Sequence, residues 1–174
     1  WAVAIEQCVA RWRPLIVRVF AGQTVDEVFD IADAAGLDLG QLSGGETQGF
    51  MEQIERPPFR AVHVDEGDTA FDVQAAIVPG VAAGLLLDTA SVQAKGGTGQ
   101  SFDWDIAAEV ARRTPFLLAG GLSPENVAGA VAQVEPWGVD VSSGVEASPG
   151  KKDHAKVRDF IAAAKSVEMP ESAF

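Results

Sequence analysis

Apolar residues from Leu15 onward form six short runs, and an amphipathic stretch follows each of them. The runs are Leu15–Phe20, Leu37–Leu42, Phe59–Val64, Gly84–Thr89, Pro115–Ala119 and Gly138–Gly144. Short runs of this kind predict buried strands, and stretches with apolar residues at helical spacing predict helices. Strands that alternate with helices are typical of parallel βαβ units, so the pattern predicts an α/β fold.

Capping residues indicate where several helices begin and end. Thr24 and Glu27 have the spacing of a capping box, and Gly36 stands where a helix C-terminus favours glycine. Further helices are predicted around Phe50–Ile54, Phe71–Ile77 and Asp103–Arg113, from Ser123 with Pro124 in the first helical position, and from about Asp153 with Val157, Phe160, Ile161 and Ala164 on one face.

The six units fit either an open doubly wound sheet or part of a closed (β/α)₈ barrel. Glycines, serines and carboxylates follow the C-terminal ends of the strands, where barrel active sites are built, and this favours the barrel. Because a closed barrel of this type has eight strands, the sequence predicts an incomplete one. We expect residues 1–168 to form this single domain, truncated at its N-terminus, and residues 169–174 to be a loose tail.

Two glycine-containing strand ends are candidates for a phosphate site. In AGGLSPENV, Gly120 and Gly121 separate a predicted strand from a helix start, a geometry that leaves backbone N–H groups directed at one small space. In VDVSSGVE, Ser143 and Gly144 end the last predicted strand. Barrels often bind phosphate between the loops after their last two strands, so we expect these four residues to face one phosphate.

Three polar residues at strand ends are candidates for contact with the rest of a substrate. Asp88 directly follows three leucines, which suits a general acid at the rim of the sheet. The alternative is that its carboxylate merely caps the following turn. Asp140 and Gln41 stand at similar positions, and both interpretations apply to them.

Composition excludes several other classes of protein. The net charge of −12 and the pI near 4.4 argue against a nucleic-acid partner. Cys8 is the only cysteine, so no internal disulfide can form and a reducing, cytoplasmic location is expected. No apolar run reaches the roughly 20 residues that span a bilayer. Two separated histidines give no metal-ligand spacing, and no cofactor is expected.

Four motifs in sequence order carry a family resemblance. LLLDT, GGTGQSFDW, AGGLSPENV and PWGVDVSSGVEASPGKKD together resemble the C-terminal three strands of phosphoribosylanthranilate isomerases, enzymes of tryptophan biosynthesis. The stretch VFAGQTVDEVFDIADAAGLDLGQLSGGE resembles the family's third and fourth strands more loosely. The resemblance implies a TIM (β/α)₈ barrel, with strands 3–8 present and the first two missing.

The resemblance also implies an activity. It is the isomerisation of N-(5-phosphoribosyl)anthranilate to 1-(2-carboxyphenylamino)-1-deoxyribulose 5-phosphate, an Amadori rearrangement that needs no cofactor. Asp88 matches the general acid that opens the ribose ring. The glycines of AGGL and the Ser143–Gly144 pair match the residues that hold the substrate phosphate, and Asp140 matches an aspartate close to the reacting groups.

Departures from the family pattern leave other interpretations open. The family's base is a cysteine in a K-x-C-G motif on strand 1, whereas Cys8 falls in what resembles the second helix, and QLSGGE replaces QLHGDE. We therefore expect a fragment that lacks its general base, is inactive alone and needs the missing N-terminal segment of its barrel. The alternatives are an inactive partial barrel that binds a sugar phosphate or a partner chain, and a sister barrel such as indole-3-glycerol-phosphate synthase. The latter would have catalytic lysines at strand ends, whereas Lys95 lies in a predicted loop.

Overall fold

A computed structural model describes residues 14–54, 58–65, 67–77, 82–88 and 104–168. The predictions for Cys8, for the tail at 169–174 and for most of the GGTGQSFDW segment concern residues outside these ranges. Within them, none of the helices combines the length and the apolar character that crossing a membrane requires.

The predicted alternation of strands and helices is confirmed. The strands are β1 (Val17–Phe20), β2 (Leu39–Leu42), β3 (Phe59–His63), β4 (Gly84–Asp88), β5 (Leu117–Ala119) and β6 (Gly138–Val139), hydrogen-bonded in chain order in a parallel sheet. The helices are α1 (Val25–Ala35), α2 (Gln48–Met51), α3 (Ala70–Ala76), α4 (Trp104–Ala111), α5 (Val127–Val134) and α6 (His154–Lys165). The protein therefore has an α/β fold.

The chain divides into two compact units, each with its own core. The first lies within Trp1–Ala61 and Val78–Gly84, and α1 packs there through Val28 against Phe20 and Leu42. The capping box of Thr24 and Glu27 begins α1, and Gly36 ends it in a left-handed conformation with φ +61°, both as predicted. Local sequence signals therefore set both ends of this helix.

The second unit lies within Val62–Ile77 and Leu85–Phe174 and contains the larger core. Val64, Leu118 and Val127 in this core are fully buried. Asp153 caps α6 by accepting hydrogen bonds from the N–H groups of Ala155 and Lys156, so the predicted start of that helix is confirmed.

Ile161 does not join the buried face that the helical spacing assigns to it. Phe160 is buried in the core of the second unit, and Val157 and Ala164 pack against it, but Ile161 is 47% exposed. One residue turns a helix by about 100°, so the neighbour of a buried residue lies at the margin of the apolar stripe. The buried face of α6 is therefore narrower than the sequence predicts.

The helix predicted from Ser123 begins later, at Val127. The Ser123 carbonyl accepts hydrogen bonds from the N–H groups of Asn126 and Val127, and the Ser123 N–H donates to Asn126 Oδ1 at 2.8 Å. These bonds close a turn over residues 124–126 before the regular helix starts. The prediction that the helix starts directly after Ser123 was therefore wrong. The helix starts one turn later, because the Asn126 side chain stabilises the intervening turn.

The last apolar run is also shorter as a strand than expected. β6 ends at Val139, and Ser143–Val145 form a 3₁₀ helix. Its neighbour β5 ends at Ala119 and turns away at Gly120, where φ is +94°, so no strand is left for the rest of the run to pair with. A hairpin that the sequence analysis did not predict follows, formed by β7 (Glu146–Ser148) and β8 (Lys151–Lys152).

Candidate active site

A cleft of about 150 Å³ opens in the second unit, where β4, β5 and β6 reach their C-terminal ends. Its lining consists of Asp88, Ala119, Gly120, Gly121, Leu122, Asp140, Val141, Ser142, Ser143 and Gly144. The structure thus brings together every candidate site residue from the last three strands. In parallel sheets this edge is where ligands usually bind.

Gln41 is the one candidate that belongs to the first unit. It stands near the end of β2, and its side-chain amide donates a hydrogen bond to Ser43 Oγ at 3.1 Å. That bond gives Gln41 a local structural role. Its predicted contact with substrate stays a prediction.

The turn after β5 depends on two glycines in the left-handed region. Gly120 has φ +94° and Gly121 has φ +60°, a conformation that residues with a Cβ adopt only at a cost. Asn126 fixes the turn from the other side, because its Nδ2 donates to the Gly121 carbonyl at 3.0 Å and its Oδ1 accepts from the Ser123 N–H. The left-handed backbone of the two glycines and the hydrogen bonds of Asn126 therefore together set the direction of the peptides around Gly121.

The loop after β6 lies directly against this turn at Gly144. A Cβ placed on Gly144 would collide with the backbone carbonyl oxygen of Leu122 and would lie 3.2 Å from the Cα of Ser123. Only a residue without a side chain lets the two backbones approach so closely. Glycine at this position therefore joins the two predicted phosphate elements into one site.

Both loops contribute backbone donors to the lining of the cleft. In the described part of the chain, the N–H groups of Gly121, Ser143 and Gly144 donate to no protein acceptor. Ser143 and Gly144 are the first residues of the 3₁₀ helix, so their N–H groups have no partner within it. Backbone N–H groups directed at one space form a concavity that suits an anion such as phosphate.

Two carboxylates also line the cleft. Asp88 is the last residue of β4, lies beside Ala119 in the strand register, and has a side chain that is 31% exposed. Its Oδ2 lies 3.7 Å from Nδ1 of His63, at the end of β3. The cleft therefore combines backbone amide donors with ionisable side chains.

Asp140 has a pKa above its ordinary value. Partial burial of its carboxyl in the cleft is the main cause, and the negative charge of Asp88 adds to it, whereas the positive charge of Lys152 acts in the opposite direction. The residue as a whole stays exposed, so the carboxyl is only partly removed from water. Asp140 therefore resists ionisation in the cleft more than an aspartate in water does.

The raised pKa predicts that Asp140 lowers stability at neutral pH. A carboxyl with a higher pKa in the folded state is harder to ionise there than in the unfolded chain, so the penalty is full above the folded pKa. The penalty disappears as the pH falls below the unfolded value of 3.8. We expect Asp140→Asn to raise the melting temperature at pH 7 but not below pH 3.8. An equal effect at both pH values in thermal unfolding would contradict this cause.

Two residues near the cleft were not singled out as functional by the sequence analysis. His63 stands in a predicted strand, and only the pairing of β3 with β4 places it near Asp88. Lys152 donates from Nζ to the carbonyl oxygen of Ser142 at 2.8 Å across ten residues of sequence. The Pro149–Gly150 turn before it was the available signal for a hairpin that folds back on the loop.

The arrangement indicates acid–base chemistry on a phosphorylated compound. Among the described residues, no group of three or more histidine, cysteine, aspartate or glutamate side chains is placed to hold a metal ion. The groups that are assembled are carboxylates, an imidazole and backbone amides. Amides suit a phosphate, and a carboxyl group can donate a proton to a substrate oxygen.

Comparison with known proteins gives one consistent family. The family model described as N-(5'-phosphoribosyl)anthranilate (PRA) isomerase matches residues 2–163. A curated N-(5'-phosphoribosyl)anthranilate isomerase from Dehalococcoides mccartyi is 44% identical over 161 residues, which cover 90% of this chain and 73% of that protein.

Solved structures agree with the sequence relatives. The phosphoribosyl anthranilate isomerase of Thermotoga maritima superimposes with a TM-score of 0.79 at 35% identity, covering 95% of this chain and 80% of that one. A phosphoribosyl anthranilate isomerase in complex with reduced 1-(o-carboxyphenylamino)-1-deoxyribulose 5-phosphate gives a TM-score of 0.74 at 33% identity, covering 94% and 78%. The chain belongs to the N-(5'-phosphoribosyl)anthranilate isomerase family.

Proposed function

We propose that the cleft of the second unit isomerises N-(5'-phosphoribosyl)anthranilate to 1-(2-carboxyphenylamino)-1-deoxyribulose 5-phosphate, a step of tryptophan biosynthesis. The observation that carries the proposal is the lining of this cleft, in which backbone amides and carboxyl groups surround one space of about 150 Å³. Membership of the family supports the same reaction. It gives no support to the alternative of an inactive sugar-phosphate-binding barrel.

The phosphate binds to the backbone amides of the cleft in this proposal. Gly120, Gly121, Ser143 and Gly144 belong to the lining, and the N–H groups of the last three are available as donors. Hydrogen bonds to a charged phosphate are stronger than those between neutral groups. They anchor the substrate and direct its sugar toward Asp88 and Asp140.

Asp88 acts as the general acid that opens the ribose ring. The bond between C1 and the ring oxygen breaks, the oxygen takes the proton of Asp88, and the electron pair of the anthranilate nitrogen forms a C=N bond to C1. A base then removes the proton from C2, and the enolamine that results tautomerises to the ketose. Positioned proton transfer of this kind contributes roughly 10²–10⁴-fold to a rate.

Asp140 adjoins the reacting groups in the same proposal. Its carboxyl lies in the cleft with that of Asp88, and the two negative charges oppose each other. Partial burial and the charge of Asp88 raise the pKa of Asp140, so the Asp140 carboxyl keeps a proton more readily than an ordinary aspartate does. In this proposal Asp140 is a second ionisable group beside the reacting sugar.

An assay of product formation from N-(5'-phosphoribosyl)anthranilate tests the proposal. The complete gene product that contains this chain is expected to isomerise the substrate, and a preparation that binds inorganic phosphate without turning the substrate over would contradict the proposal. The 174-residue chain is assayed beside it. Turnover by the chain alone would disprove the prediction that a base from outside these residues is required.

A further inference from the structure

The hairpin formed by β7 and β8 carries a lysine that bonds to the candidate phosphate loop. We propose that Lys152 is a positioning residue, which holds the peptide between Ser142 and Ser143 so that the Ser143 N–H faces the bound phosphate. The inference rests on the proposed function of the cleft. It assigns a role in phosphate binding to Lys152, which does not itself line the cleft.

Lys152 makes two hydrogen bonds that fix its ammonium group. Nζ donates to the Ser142 carbonyl oxygen at 2.8 Å and to Glu146 Oε1 at 3.1 Å. The Glu146 side chain is only 17% exposed, so this ion pair is more shielded from water than an ordinary surface pair. The Val145 N–H also donates to the Ser142 oxygen, at the longer distance of 3.4 Å. The shorter bond to that oxygen is therefore the one from the lysine.

Regular secondary structure holds this peptide only through the long hydrogen bond from the Val145 N–H. Ser142 has φ −117° and ψ −89°, which is neither helical nor extended, and its side chain forms no capping hydrogen bond. The ψ angle of Ser142 determines how the following peptide is turned. Because a trans peptide is planar, its carbonyl and its N–H point in opposite directions. A donor that holds the Ser142 carbonyl therefore directs the Ser143 N–H away from Lys152.

The hairpin itself is tied to its surroundings at both ends. Glu146 and Lys152 face each other in the antiparallel register. The Asp153 N–H donates to the Val145 carbonyl at 2.8 Å, and Lys156 Nζ donates to the Glu146 carbonyl at 3.1 Å. These bonds connect the hairpin to the first turn of α6 and to the 3₁₀ helix. The backbone of Lys152 is therefore held in place by the hydrogen bonds of the hairpin and its neighbours.

The test measures the dissociation constant of inorganic phosphate and the KM of the phosphorylated substrate, using the complete gene product at about pH 8, where ordinary carboxyl groups are ionised. The variants are Lys152→Met, which removes the hydrogen-bond donor but keeps a long side chain, and Lys152→Arg, which keeps a charged donor. Lys151→Met is the matched control, since Lys151 is the exposed neighbour on the same strand. The double variant E146Q/K152M removes the unpaired carboxylate, in case the single variant fails to fold.

We expect Lys152→Met and the double variant to weaken phosphate binding roughly tenfold, because a misdirected hydrogen bond to a charged group costs at least that factor. In both variants KM should rise as the dissociation constant of phosphate rises, while kcat falls less. Lys152→Arg should retain most of the phosphate affinity. Lys151→Met should match the unchanged protein. The loss should persist at about 0.5 M NaCl, where long-range charge effects are screened.

Phosphate binding by Lys152→Met equal to that of the unchanged protein would overturn the inference and leave the proposed function standing. A loss that disappears at high salt would also overturn it, since the lysine would then act only through its charge. If the unchanged protein neither binds phosphate nor turns over substrate, the proposed function fails and the inference fails with it.

Discussion

Asp88→Asn is expected to lower kcat/KM for N-(5'-phosphoribosyl)anthranilate by roughly 10²–10⁴, the range typical for loss of a positioned proton donor. Asparagine has nearly the shape of aspartate and keeps the place at the end of β4, but it cannot transfer a proton to the ring oxygen. Binding of inorganic phosphate should hold or improve, because asparagine brings no negative charge into the cleft. The measurements are steady-state kinetics and a phosphate titration of the complete gene product.

Asp159→Asn is the matched control for this variant. Asp159 is an exposed aspartate on α6, so the same chemical change there should leave both measurements unaltered. An Asp88→Asn enzyme with unchanged kcat/KM would disprove the role of Asp88 as general acid. A fall in phosphate affinity as large as the fall in kcat/KM would mean that the variant disturbs the site as a whole.

Gly144→Ala is expected to weaken phosphate binding by at least about tenfold, through geometry and not through charge. The new Cβ would collide with the Leu122 carbonyl oxygen, so the loop after β6 must move away from the turn after β5. Gly144 is not among the glycines with positive φ, and the effect is therefore steric. Overpacking of this kind typically costs about 1–3 kcal/mol of stability. Phosphate titration and chemical denaturation measure the two effects.

Gly129→Ala is the control for the glycine substitution. Gly129 lies inside α5, and a Cβ there would meet its nearest atom, Cζ3 of Trp104, at an ordinary 3.7 Å. Alanine favours a helix interior by about 1 kcal/mol over glycine, so this variant should be more stable and bind phosphate normally. Normal phosphate binding by Gly144→Ala would show that the two loops do not form one site.

Local signals account for the parts of the fold that were predicted correctly. The alternation of apolar runs gives the strands because buried parallel strands need continuous apolar sequence. Thr24 with Glu27 begins α1 and Asp153 begins α6 because capping joins groups that lie within three residues of each other. The position of Asp88 at a strand end followed from the three leucines before it.

The errors arise where contacts outside the apolar runs and the expected capping residues decide the local structure. The run after Val139 leaves the sheet because β5 has already ended, which the run itself does not encode. The start of α5 moves to Val127 because Asn126 bonds to Gly121, five residues earlier. The contacts of Lys152 with Ser142 and of His63 with Asp88 form only in the folded chain, and no local sequence pattern predicts them.

The most direct test of the central claim is a crystal structure of the complete gene product with reduced 1-(o-carboxyphenylamino)-1-deoxyribulose 5-phosphate. We predict that its phosphate accepts hydrogen bonds from the N–H groups of Gly121, Ser143 and Gly144, and that its sugar carbons lie beside Asp88. A phosphate bound elsewhere, or a ligand whose sugar lies out of reach of Asp88, would contradict the assignment of this cleft as the active site.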